Sequence, residues 1–234
     1  MNAIDALAAA AERDGETPLP LLTQADLCAL GAAGKTLVCA RTWTWWTGLS
    51  STEREALAAK SLEVLVLRGL ITPASGKAPA VPVPELGLIL GARANARLVV
   101  TCQVPGEDTA FEPRFFGITQ QDAGLRAVVR ETLTPDAPGP GGQADLGTIL
   151  RYTLMTPAHA ATTMTAWARG KGTATQLDVY GHGADGRISL DRFEIRPAGT
   201  LFDVYRPAGG IPPGRFDHME LRQMLTSALA GAAR

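Results

Sequence analysis

This chain is short of the residues that mark most specialised chemistries, and each shortage excludes something. Aromatic residues make up only 6% of it, and there are three histidines. His159, His182 and His218 are scattered, and no Cys-x-x-Cys, His-x₃-His or His-Glu-x-x-His spacing occurs, so no metal site is expected. The three cysteines, Cys28, Cys39 and Cys102, are odd in number and widely spaced, which suits free thiols in a reducing compartment. Neither sign of charge dominates: 22 Lys and Arg stand against 23 Asp and Glu, whereas a dedicated nucleic-acid binder carries a basic stripe. Apolar runs such as Leu86–Ala92 are far below the roughly 20 residues that span a bilayer. Asp5 precedes any basic residue and no cleavage-site pattern follows, so no signal peptide is expected. A Gly-x-Ser-x-Gly elbow and a Gly-rich phosphate loop are also missing. The expectation is a cytoplasmic protein with no cofactor, no membrane insertion and no catalytic constellation.

What is present is ordinary globular composition, 46% hydrophobic and 19% charged over 234 residues, enough for a sizeable core. The Pro/Gly stretch 135–142 cannot carry regular structure and divides the chain. On either side, short strands run into one capped amphipathic helix, at about residues 97–133 and again at 174–230. This repetition predicts a single α+β domain over 1–234 with two pseudo-repeated halves, about 1–134 and 143–234. Each half would be a mostly antiparallel sheet with helices against it, in a quasi-two-fold arrangement.

Helix signals open the chain. Ile4, Leu7, Ala8 and Ala11 form an apolar stripe, and Thr23 with Asp26 offers a cap for a second short helix closed by Gly31 and Gly34. Lys35–Trp46, rich in β-branched and aromatic residues, reads as extended. Ser50 with Glu53 makes a capping box for a helix carrying Leu62, Leu65, Val66 and Leu70. Pro84–Ala94 reads as a helix, Arg97–Val104 and Arg114–Ile118 as strands, and Thr119 as the cap of a helix bearing Leu125, Val128, Val129 and Leu133. Leu146 to Leu154 fits either strand or short helix, and Thr156-Pro157 starts a further helix. Strands Ala174–Gly181, Arg187–Arg196 and Thr200–Arg206 follow as a meander. In the middle one the apolar parity flips from Ile188 and Leu190 to Phe193 and Ile195, which a bulge near Asp191-Arg192 would reconcile. Ala208-Gly209-Gly210 reads as a connector, and Asp217 with Glu220 caps the last helix.

Candidate chemistry is thin. His182 with Asp178 and Asp185 could form a polar cluster, but a Gly-His-Gly hairpin is more often a solvated turn. Asp191 and Glu194 fall on opposite faces of a regular strand, and only the bulge would join them as an acid/base pair. Binding surface is the stronger theme. If Leu177 and Val179 face helices, Tyr180 faces away, and Leu201 and Tyr205 oppose Phe202 and Val204. Tyr180, Leu201 and Tyr205 are therefore candidates for a protein contact. Trp43 and Trp45 share a face in an extended segment and would mark a docking patch if exposed, or a core strand if not. Two alternatives stand beside protein binding. Residues 36–73 could be half of a winged-helix transcriptional regulator, although the helix charges cancel, and the chain could be a small-molecule enzyme of unrecognised type.

Three stretches together resemble one family. They are Leu22-Thr23-Gln24-Ala25-Asp26-Leu27 with Glu53-Arg54-Glu55-Ala56-Leu57 leading to Leu67-Arg68-Gly69-Leu70, then Val83–Leu90 into Ala96–Val100, then the closing meander into Asp217-His218-Met219-Glu220-Leu221. They look like the EspG family of ESX (type VII) secretion-associated proteins of actinobacteria. The resemblance implies a cytosolic, non-enzymatic chaperone with quasi-two-fold α/β architecture that binds helical PE–PPE secretion substrates and shields their apolar tips. It transfers no individual site residue.

Overall fold

Alternation of apolar residues at Leu177/Val179, Phe193/Ile195 and Phe202/Val204 gives the sheet of β-strands late in the chain two very different faces. The computed structural model describes residues 3–31, 40–73, 80–107, 112–120, 124–134, 148–183, 187–207 and 211–233. In chain order the described elements are α1 (Ala3–Asp14), β1 (Glu16–Pro18), β2 (Leu22–Thr23), α2 (Gln24–Leu30), α3 (Ala40–Gly48) and α4 (Ser51–Leu67). Next come β3 (Ile71–Thr72), β4 (Val81–Pro82), α5 (Pro84–Asn95), β5 (Leu98–Gln103), β6 (Arg114–Gln120), β7 (Gly124–Thr134) and β8 (Ile149–Met155). The remainder is α6 (Pro157–Lys171), β9 (Thr175–His182), β10 (Ile188–Ala198), β11 (Leu201–Arg206), β12 (Ile211–Phe216) and α7 (His218–Ala232).

The fold is α+β, with one large antiparallel sheet and a separate two-stranded hairpin of β3 and β4. The large sheet follows the path β1-β8-β7-β6-β5-β9-β10-β11-β12, with β2 also paired to β8. Strands expected in two sheets thus lie along one path. Two meanders, β5 to β7 and β9 to β12, meet where β5 pairs antiparallel with β9. Prolines occupy both ends of the path, Pro18 in β1 and Pro212-Pro213 in β12, where a missing N–H costs no ladder bond.

The chain divides into two compact units, neither coinciding with a first or second half. One comprises residues 1–18, 95–132 and 153–234. Its core lies between one sheet face and the helices α6 and α7. Leu98, Val100, Cys102, Leu177, Val179, Phe193, Ile195, Phe202 and Val204 meet Ala160, Met164, Ala168, Leu221, Leu225 and Leu229, all buried. Each large side chain so buried stabilises the fold by about 1.5–3 kcal/mol. Helix α6 begins at Thr156, whose hydroxyl accepts from the His159 amide at 3.1 Å, and ends at Gly172 in the left-handed region with φ +66°. Helix α7 has the expected capping box, Asp217 accepting from the Glu220 amide at 2.8 Å while Glu220 accepts from the Asp217 amide at 2.8 Å. Its far end crosses β9 so closely that a Cβ at Gly181 would sit 2.6 Å from the Ala232 carbonyl oxygen.

The other unit comprises residues 19–94 and 133–152. Thr23 caps α2 and is capped by Asp26 in return, at 3.1 and 2.7 Å. Ser61 of α4 also donates to the buried Asp26 carboxylate, which ties α4 to α2. Gln24 bridges two segments, donating to Thr42 at 3.1 Å and accepting from the Thr148 amide at 3.0 Å. Ser50 and Glu53 form the expected box at the start of α4, and hydrogen bonds from Ser50 hold the Glu53 carboxyl below its ordinary range.

Several expectations are corrected. Residues 124–134 are strand β7, not a helix capped by Thr119: Ala127, Val128 and Val129 are buried in succession, so both faces of this strand are covered, a pattern that mimics helical spacing. The first of the two supposed repeats therefore lacks its closing helix. Ala40–Gly48 is helix α3 rather than extended chain, tertiary packing of Trp46 and Thr42 outweighing the β propensity of the segment. Residues 35–39, the 135–142 linker and 208–210 lie outside the described residues. Residues 149–155 resolve as strand β8. No bulge occurs at Asp191-Arg192, because β9 and β10 pair without a register shift from Ile188↔His182 to Ile195↔Thr175. The shift lies instead between β11 and β12, where Pro212 and Pro213 oppose Tyr205.

Candidate functional site

The face of β9, β10 and β11 turned away from α6 and α7 collects three of the expected contact residues. Register sets Tyr180 beside Leu190, Asp178 beside Arg192, Glu194 beside Tyr205, Arg196 beside Asp203 and Ala198 beside Leu201. Tyr180 and Leu201 are half-buried, and Tyr205 is 44% exposed. Ile188 and Leu190 on the same face are 63% and 43% exposed. Sequence reasoning missed these two by trying to fold them inward with a bulge. The parity flip was itself the signal: read without a bulge, it places Ile188 and Leu190 opposite Phe193 and Ile195.

The middle of this face is polar and closed on itself. Asp178, only 2% exposed, accepts from Arg192 Nε at 2.7 Å and Nη2 at 2.9 Å. Gln176 donates to the same carboxylate at 3.0 and 3.1 Å, and Gln103 at 3.3 Å. A buried carboxylate is tolerable only with this many donors. Partial burial, then the Asp178 charge, pushes the Tyr180 phenol above its ordinary range. Asp178 is thus engaged by Arg192 rather than by His182, which is exposed at the end of β9, and Asp185 lies outside the described residues.

Toward β12 the face sinks into a hollow of about 200 Å³, lined by Ala174, Glu194, Arg196, Asp203, Tyr205 and Pro213. Arg215 donates to Asp203 at 2.9 Å beside it. A larger cleft of about 530 Å³ lies between β10 and the end of α7, bordered by Ser189, Asp191, Arg206, Met224, Ser227 and Gly231. Neither hollow is lined by His159 or His182. Asp191 pairs with Arg206 on the helix side, so it stands across the sheet from Glu194 and the two do not form an acid/base pair.

Trp43 and Trp45 are both half-buried on α3, in the other unit, and Trp46 is buried. The rings of Trp45 and Trp46 pack at 6.0 Å between centroids, tilted by 45°. A helix spaces the three residues differently from a strand, so the shared face expected for Trp43 and Trp45 does not exist. Burial pushes the Cys102 thiol well up, with the Glu112 charge adding to it, which leaves the sulfur a poor nucleophile. Among the described residues no three His, Cys, Asp or Glu side chains cluster as metal ligands, and no helix is long and apolar enough to cross a membrane.

Comparison with protein-family models, curated proteins and solved structures finds no match to this chain.

Proposed function

We propose that this is a non-enzymatic protein-binding protein of the cytoplasm, and specifically an EspG-like chaperone of type VII secretion substrates. One observation carries the reading: the open face of β9–β11 leaves Ile188, Leu190 and Tyr205 exposed, and Tyr205 lines the hollow at Pro213. A sheet face meant for water holds polar residues, whereas apolar anchors next to a small hollow suit a partner's side chains. Covering them removes apolar area from water at about 25 cal/mol per Å². The client on this reading is the apolar helical tip of a PE–PPE pair. The quasi-two-fold arrangement belongs to the same proposal. It is supported by the strand path, in which α5 precedes one meander, α6 precedes the other, and both run outward from the β5–β9 pair.

The regulator alternative gains one feature, the order α3, α4 and hairpin β3–β4. It loses more, since Glu53, Glu55 and Glu63 of α4 are exposed where a recognition helix meets phosphates. Co-expression with a PE–PPE pair tests the chaperone reading. A stable complex on gel filtration is expected, and Leu190→Arg with Tyr205→Arg should dissolve it while the variant stays folded. A pair that stays soluble alone, or a complex indifferent to both substitutions, would overturn it.

A further inference from the structure

Strand β10 is eleven residues long and its neighbour β11 only six. On one border β10 pairs with β9 from Ile188 to Ile195, but on the other it pairs with β11 only from Glu194 to Ala198. Strand β11 stops at Arg206 because Pro207 follows, and proline has no N–H with which to extend a ladder. Among the described residues, no strand pairs with the outer border of Ile188–Arg192. This step lies inside the sheet path, away from its proline-bearing ends.

Two-residue alternation decides which groups the step presents. The Gly183 amide donates to the Arg187 carbonyl at 2.9 Å, so Arg187, Ser189 and Asp191 turn their main-chain groups toward β9. Ile188, Leu190 and Arg192 turn theirs to the open border. Helix α7 runs beside it: Ser189 and Asp191 form one wall of the cleft of about 530 Å³, and Met224, Ser227, Ala228 and Gly231 form the other. Small residues keep the helix wall low. Arg206 also lines the cleft, its Nε donating to Asp191 at 2.7 Å and its guanidinium 5.3 Å from the centroid of the Phe193 ring.

We infer that this step is a site of strand addition, where an extended peptide of another protein pairs antiparallel with Ile188–Arg192 in the cleft beside α7. Main-chain chemistry selects the occupant: donors and acceptors recurring at every second residue, about 6.8 Å apart, are matched by another extended main chain. The step is about 17 Å long, room for five residues. Being short and walled by α7, it admits one strand and does not template a stack. Peptide residues beside Ile188 and Leu190, which are 63% and 43% exposed, suit β-branched apolar side chains. Those beside Ser189 and Asp191 turn into the cleft and suit small hydroxyl side chains. A second copy of the chain fits badly, because two-fold pairing centred on Leu190 would set Arg187 of each copy on the line taken by Arg206 of the other. The sheet-face proposal rests on side chains and this one on main-chain groups, so either can fail alone.

A labelled hexapeptide alternating valine and threonine tests it against the full chain by fluorescence anisotropy. The peptide should bind. N-methylation of its valine amides, which face β10 in an antiparallel pair, should abolish binding, and N-methylation of its threonine amides should not. Leu190→Pro should weaken binding by about tenfold or more, since it deletes a border donor without touching the β9 ladder. Leu190→Ala keeps that donor and should cost about fivefold at most. Ser227→Trp, at an exposed position of α7, should block binding by filling the cleft, whatever Leu190→Pro does to folding. Tyr205→Arg should leave peptide binding unchanged. No binding of the unmethylated peptide, or the same response to both methylation patterns, would overturn the inference. So would sedimentation showing a dimer of the chain that Leu190→Pro dissolves.

Discussion

The two faces of β9–β11 are made from alternate residues of the same three strands, yet they do opposite things. On one side Leu177, Val179, Phe193, Ile195, Phe202 and Val204 are almost wholly withdrawn from water beneath α6 and α7. On the other, a buried carboxylate holds the centre, and Ile188, Leu190 and Tyr205 are left in the open. The helix face stabilises the fold through area and close fit. The open face combines a satisfied polar network with apolar residues that contribute little to the monomer. Hydrophobic content alone does not separate a core from a contact surface; the presence of a covering element does.

That contrast can be broken most sharply at two positions of strand β10. Phe193→Ala should cost about 3–5 kcal/mol in urea unfolding, for lost burial and the cavity left behind. Leu190→Ser, three residues earlier on the opposite face, should stay within about 0.5 kcal/mol. Similar losses for both would mean that the open face is not open. Asp178→Ala comes next, at about 1–3 kcal/mol for its charged hydrogen bonds. The loss stops short of a stranded buried charge because the Arg192 side chain is 39% exposed and can hydrate itself. The smallest effect is in pH. Tyr180 has a raised folded-state pKa, so its contribution is fully present below the ordinary tyrosine range and is lost as pH rises through the raised value. Ultraviolet titration should show a late phenol that Tyr180→Phe removes, and Asp178→Asn should bring its ionisation earlier by removing the neighbouring negative charge. A late phenol unmoved by Asp178→Asn would assign the shift to burial alone.

The parts of this architecture legible in sequence are those fixed by neighbours in the chain. The boxes Thr23/Asp26, Ser50/Glu53 and Asp217/Glu220 are local hydrogen-bond devices, and all three form. Strands β5 and β11 were readable because one face is buried and the alternation is clean, and β9 and β10 because turn residues bound them. Strand β7 was not, since Ala127, Val128 and Val129 are covered on both sides and the period disappears. Helix α3 was misread because Thr and Trp favour strands until packing decides otherwise, as it does for buried Thr42 and Trp46. Strand β12 was hidden by its prolines, which are permitted at the end of the strand path, where among the described residues nothing pairs beyond it. Of the residues on the open face, Tyr180, Leu201 and Tyr205 followed from parity, whereas Ile188 and Leu190 required trusting a parity flip that looked like an error.

Those prolines have a consequence for behaviour at high concentration. With Pro18 at one border of the large sheet and Pro212-Pro213 at the other, both borders are poor templates for recruiting a further chain. Crowded copies should therefore resist stringing into cross-β fibrils even with greasy side chains showing. Exposed apolar side chains and resistance to polymerisation can thus coexist in one sheet.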